Sequence, residues 1–161
     1  MENEITPLLE TYIEAYPKIK DEINNLTDEE ISFLPSPDKW SIRQILHHLC
    51  DTEMMAATRV FRILTEEKPN LPSYDQNKWA SELGYDKLDP QVAVLTFGLL
   101  RQRMYQLFQT LPESVWERKG IHSERGEITL LDMLKTYAKH GENHLQQIQK
   151  NLSEYKSKVK F

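Results

Sequence analysis

Apolar residues recur along this chain at three- and four-residue intervals, the spacing of helices with one buried face. Ile42, Ile45, Leu49, Ala56, Val60 and Ile63 form one such line. Leu130, Leu134, Ala138, Leu145, Ile148 and Leu152 form another. Start signals frame the periodic stretches. Thr6-Pro7 predicts a first helix running to about Leu26, in which Pro17 should kink or break the chain. Thr27-Asp-Glu-Glu30 has the pattern of a capping box for a short helix, and Pro35-Ser-Pro37 predicts a turn. Ser41 with Gln44 opens a helix to about Glu67, and Asp89-Pro90 opens another to about Leu111. Thr129 with Asp132 starts the last, to about Leu152. Residues 68–89 and 112–128 read as irregular connections, and a connection this long is usually functional or packed over a site. The lysine-rich stretch 153–161 is expected to fray. Four long helices with two long connections predict an all-α four-helix bundle, with 1–161 forming a single domain.

Composition narrows the function. With 39% hydrophobic residues the chain can build a core. A net charge of −5 argues against nucleic acid and anionic membrane as partners and leaves a small molecule as the expected substrate. Cys50 is the one cysteine, so no internal disulfide forms. No stretch is apolar for long enough to span a bilayer, and MENEITPLLE lacks a secretion profile. The expected location is the cytoplasm. A homodimer is compatible with such a bundle.

The candidate chemistry lies in histidines. His140 and His144 are spaced i, i+4, so both rings leave one helix face. Relative to the apolar centre of its helix, His48 lies roughly 105° away, His144 roughly 70° and His140 roughly 110°. All three therefore sit on the margins of buried faces, where two packed helices could bring them together. His47 and His122 have no such position. Shoulder histidines are also often ordinary half-exposed residues, and spacing alone leaves both readings open.

Trp40-Ser41, the helix carrying His48-Leu49 and Asp51-Thr52-Glu53, and His140-x-x-x-His144-Leu145-x-Gln147-Ile148 together resemble a known family, the DinB-like (DinB/YfiT) proteins. Leu71-Pro-Ser-Tyr-Asp75 followed by Trp79, and Thr27-Asp-Glu-Glu30 before Pro35, fit the same family. The resemblance covers nearly the whole chain. It implies a four-helix bundle of unusual connectivity. It also implies a divalent metal, commonly zinc or nickel, on three histidines that match His48, His140 and His144. Family members include thiol S-transferases using bacillithiol or mycothiol, a thiol-dependent isomerase, and proteins described as metal-dependent hydrolases.

Three neutral imidazoles would leave the ion its full charge, and the ion would activate a water or a thiol. The choice turns on a base. In the HExxH metalloproteases a glutamate follows the first histidine, but here Gly141 does. Glu142 points about 200° away from His140. Asp51, one turn beyond His48, is the candidate base or a partner for an imidazole N–H. The lack of an evident base favours transfer of a low-molecular-weight thiol to a small electrophile. The alternatives are a hydrolase of a small ester or amide, with Asp51 orienting the water, and a non-catalytic, stress-related metal-binding bundle. Tyr74 and Trp79 either line a substrate mouth or cover the bundle. Arg59 could meet an anionic thiol cofactor, although a solvated surface role is the better-supported expectation. Trp40 reads as a packing plug, Met133 as a wall of the site, and Cys50 as a buried hydrophobe.

Overall fold

A computed structural model of the protein describes residues 2–159. Six helices occur among them: α1 (Glu2–Ile23), α2 (Asp28–Ser32), α3 (Ile42–Thr65), α4 (Gln76–Glu82), α5 (Pro90–Gln109) and α6 (Leu130–Val159). The capping signals act as expected. Thr27 and Glu30 close a capping box on α2, and Ser41 and Gln44 close one on α3. Asp89 accepts from the Gln91 amide with Pro90 at the first helical position. Asp132 and Thr129 exchange backbone bonds at the start of α6.

The long helices α1, α3, α5 and α6 make the bundle. Each of α1 and α3 packs against both α5 and α6. The two long connections hold more structure than their sequence suggests. Residues 68–89 contain β1 (Asn70–Leu71), α4 and a 3-10 turn at Tyr85–Lys87. Residues 112–128 contain a 3-10 turn at Glu113–Val115, then β2 (Lys119–His122) and the start of β3 (Gly126–Thr129). β2 and β3 form a hairpin, and β1 pairs with β2 in parallel, Asn70 opposite Ile121 and Leu71 opposite His122. Strands of two to four residues carry too little periodicity to be read in advance.

Two further expectations are corrected. α1 starts before Thr6-Pro7 and continues through Pro17 without a break. Its inner face, Leu9, Tyr12, Ala15, Ile19 and Ile23, is fully buried, and that burial outweighs the hydrogen bond each proline removes. The stretch from 153 does not fray: α6 runs to Val159, and residues 160–161 lie outside the described residues. Tyr155 packs edge-on against Phe33 at 5.4 Å, and Lys158 Nζ donates to the Pro35 carbonyl at 3.0 Å, tying the last turns to the α2–α3 connection. Among the described residues, no helix is long and apolar enough to cross a membrane.

The core is two apolar clusters separated by a polar layer. One holds Leu9, Met104, Phe108, Trp116, Leu130 and Leu134, the other Ile19, Ile42, Ile45, Phe97, Ile148 and Leu152. Between them Arg101 is 0% exposed and Glu53 1%. Arg101 Nε donates to Glu53 Oε2 at 3.0 Å, Nη1 to the Tyr12 carbonyl, and Nη2 to the Tyr137 carbonyl at 2.6 Å. The Tyr12 hydroxyl donates to the other Glu53 oxygen. The guanidinium also lies 4.2 Å from the Tyr12 ring centre and 4.6 Å from that of Phe97. One side chain thus links all four long helices. The sites around it are small: a Cβ on Gly141 would come within 2.6 Å of Ala15 Cβ and 3.0 Å of Arg101 Nη1.

Removing one partner of such a pair leaves a buried charge unanswered. Arg101→Met should therefore destabilise the fold by about 3–5 kcal/mol, read from urea denaturation. A change no larger than that of an exposed substitution such as Arg103→Met would contradict the role given to this layer.

Candidate metal centre

His48 lies in the first half of α3, and His140 and His144 in the middle of α6, two helices that pack together. Their imidazole nitrogens lie within 4.8 Å of one another. His140 Nε2 is 3.1 Å from His48 Nε2 and 3.1 Å from His144 Nε2. Nitrogens bound to one tetrahedral ion at about 2.0–2.1 Å would lie about 3.3 Å apart, so the spacing fits a shared cation. No fourth histidine, cysteine or carboxylate joins the cluster among the described residues. Three nitrogen donors leave room for a further ligand.

The outer ring nitrogen of His144 sets its tautomer. His144 Nδ1 faces Gln147 Oε1 at 2.9 Å. An amide oxygen only accepts, so Nδ1 carries the proton and the Nε2 lone pair points inward. His48 Nδ1 lies 3.3 Å from Thr52 Oγ1, which in turn is 2.6 Å from the Tyr74 hydroxyl. Tyr74 packs on Trp79, ring centres 4.3 Å apart, so the 68–89 connection reaches a candidate ligand through Thr52. The Trp40 ring lies 4.8 Å from the His48 ring, and Asn151 Nδ2 holds the Trp40 carbonyl at 2.8 Å. Trp40 is thus a wall of the site as well as a plug. His48 is left only 2% exposed.

Burial, with His144 beside it, pushes the His48 pKa from 6.5 down to about 3. Burial also lowers His140 well below its usual range, with its two neighbouring histidines adding to the effect, and lowers His144. All three rings are therefore neutral at ordinary pH, the form that binds metal.

The other candidates fall differently. Asp51 accepts a hydrogen bond from the Tyr85 hydroxyl and is not part of the donor cluster. Arg59, expected at a solvated surface, is 7% exposed. The 68–89 connection covers it: Nη1 donates to the Tyr137 hydroxyl at 2.9 Å and Nη2 to the Pro72 carbonyl. Tyr137 and Arg101 escaped the sequence reading. The signal for Tyr137 was its place three residues before His140; its ring lies 6.3 Å from that imidazole. For Arg101 it was a charge on the apolar line Phe97, Met104, Phe108. Met133 is buried in the core beside Tyr137. His47 packs on Tyr85 at 5.4 Å, and His122 Nδ1 accepts from the Glu124 amide at 3.2 Å, both apart from the cluster. Burial pushes the Cys50 thiol up to about 11, so it is no nucleophile at neutral pH.

Two outcomes follow from this geometry. Unfolding returns the histidines to their ordinary pKa, so between 6.5 and about 3 the unfolded chain binds more protons than the fold. The metal-free protein should lose stability as pH falls through that window, by up to about 1.4 kcal/mol per pH unit for each ring kept neutral. Denaturation midpoints at pH 7.5 and 5 should diverge less in His48→Ala than in the wild type; equal divergence would count against it. Gln147→Leu and Thr52→Val should each weaken metal binding by about 10–100-fold in competition with a chromogenic chelator. Unaltered affinity in both would remove their orienting role.

Comparison with known proteins agrees with this architecture. Residues 13–148 match the DinB superfamily pattern. A protein of Oceanobacillus iheyensis named "Putative metal-dependent hydrolase" is 31% identical over 142 residues, covering 88% of this chain and 82% of that one. A Bacillus cereus protein of the same designation is 30% identical over 141 residues, covering 85% and 81%. The solved structure of YfiT from Bacillus subtilis, described as a probable metal-dependent hydrolase with an unusual four-helix bundle topology, aligns with a TM-score of 0.86. That alignment has 26% identity and covers 91% of this chain and 84% of that chain. With its helical bundle and three clustered histidines, the chain belongs to the DinB superfamily.

Proposed function

We propose that the protein is a metal-dependent enzyme in which His48, His140 and His144 hold a divalent ion, zinc or nickel, and which transfers a low-molecular-weight thiol of the bacillithiol type to a small electrophile. One observation carries the preference for a thiol: among the described residues no carboxylate stands in the donor cluster, and Asp51 is engaged by Tyr85. An ion held by three neutral imidazoles supplies a positive charge that lowers the pKa of a thiol or water in its open position. A thiol already deprotonated needs no base at the moment of attack, so the chain need not provide one.

The chain's own residues then bind and orient. Gln147 keeps the His144 lone pair directed at the centre, and Thr52, 3.3 Å from Nδ1 and 3.4 Å from Nε2 of His48, braces the edge of that ring. Trp40 and the Tyr74 segment keep His48 out of bulk water, which strengthens every charge interaction inside. Tyr74 and Trp79 stand on the covering segment, where a small substrate would pass them.

Hydrolysis of a small ester or amide is the second reading, favoured by the designations of the relatives. Asp51 would then have to exchange Tyr85 for the attacking water.

The readings separate in one assay set. Metal-loaded protein should turn over 1-chloro-2,4-dinitrobenzene only when bacillithiol or a simpler thiol is present, and His140→Ala should fall to the metal-free background. Turnover of p-nitrophenyl acetate without thiol, lost equally in His140→Ala, would replace the first reading by the second. Full metal content with neither activity would leave a binding protein.

A further inference from the structure

Among the described residues, a buried cation joined to the histidine cluster through Tyr137 has no acidic partner. Arg59 is 7% exposed, yet its partners are a tyrosine hydroxyl and the Pro72 carbonyl, both neutral. Its Nε–H has no acceptor. The arginine ion pairs among the described residues are those of Arg43, Arg62 and Arg101. Buried charges are costly without a counter-charge, so an arginine held this way marks a place where an anion belongs.

A second arginine acts on the same two side chains, His122 and Tyr137. Arg125, in the turn between β2 and β3, is exposed, and its Nη1 reaches Thr136 Oγ1 at 3.4 Å, a contact weak enough to release. Thr136 precedes Tyr137, whose hydroxyl holds Arg59 and whose ring faces His140 at 6.3 Å. Burial lowers the His122 pKa, and both arginines lower it further, as expected of charges gathered around one point. The nearby acids are committed elsewhere or solvated: Glu53 to Arg101 and Tyr12, Asp51 to Tyr85, Asp132 to the Thr129 amide and hydroxyl, with Lys135 as well as Arg125 near it, and Glu124 at the exposed turn. This positive locus stands in a chain of net charge −5.

We propose that the substrate of the histidine centre carries an anionic oxygen group, a carboxylate or a phosphate, that docks on the Arg59–Arg125 side. Arg125 swings to make the contact, and Arg59, fixed by Tyr137 and Pro72, supplies the positive field behind it. The reactive end of the molecule meets the histidines about one tyrosine ring away, so the substrate is small and bifunctional. The proposal rests on the reading of the cluster as a metal site with an open position.

A matched pair of thiols tests it. 3-Mercaptopropionate and its amide differ in charge and little else. Binding of each to cobalt-loaded protein is followed by the thiolate-to-cobalt charge-transfer band. The acid should bind about ten-fold tighter than the amide, the scale of one hydrogen bond to a charged group. Arg125→Gln, an exposed substitution that leaves the core intact, should bring the two within about two-fold. Equal binding of acid and amide to the wild type, or a preference undiminished in Arg125→Gln, overturns the proposal. If neither thiol gives a band, the open-position reading fails, and a metal-free arm still decides the anion site. Inorganic phosphate titrated into metal-free protein should shift the backbone amides of Arg125 and Tyr137 in NMR spectra, and fail to do so in Arg125→Gln. The absence of shifts in the wild type overturns the proposal by itself.

Discussion

The guanidinium of Arg101 is the fixed point of this molecule. It is fully enclosed, and it contacts α1 through Tyr12, α3 through Glu53, and α6 through the Tyr137 carbonyl, while belonging to α5. Apolar packing alone tolerates sliding of one helix along another, because hydrophobic contact has no direction. A charge that must find one carboxylate and two carbonyls does not. The layer therefore sets the relative height of the four helices. It does so one turn from His140, on the helix that also carries His144. The register that brings His48 to those rings follows from the same contacts.

The cluster itself runs against the ordinary economy of a core. Three imidazoles face one another with their basic nitrogens inward, and burial keeps all three neutral. Converging lone pairs repel, so the arrangement is held by its surroundings: Trp40 behind His48, Gln147 behind His144, and the Thr52–Tyr74 pair. The cover comes from the connection between α3 and α5, pinned by β1 to the hairpin that leads into α6. Ser73 is held there as well, through the Ser123 hydroxyl at 2.9 Å. What reads as a long loop is a fastened lid of short elements.

Local rules were legible in the sequence wherever one element decided the outcome. The capping pairs Thr27–Glu30, Ser41–Gln44 and Thr129–Asp132 form as their side chains dictate, and the helical wheel placed the three histidines on margins that do meet. Where the outcome depended on a partner element, the reading failed. Pro17 stays helical because α1 is buried along its length, and Arg59 is covered by a segment whose path no periodicity reveals. His47, which the wheel set apart from the three margin histidines, is buried for the same reason, under the turn that carries Tyr85. The layer at Arg101 was invisible because a charge on an apolar stripe looks like a fault in the pattern until its carboxylate is found.

Gly141 carries a consequence for what this scaffold can become. Ala15 and Arg101 already occupy the space a side chain there would need. The glutamate that zinc peptidases keep after their first histidine has no room here without displacing Ala15 and Arg101. Any route from this bundle to peptidase-like chemistry, natural or designed, must recruit its proton acceptor elsewhere than the position after His140: from Asp51 on α3, from the covering segment or from the reactant.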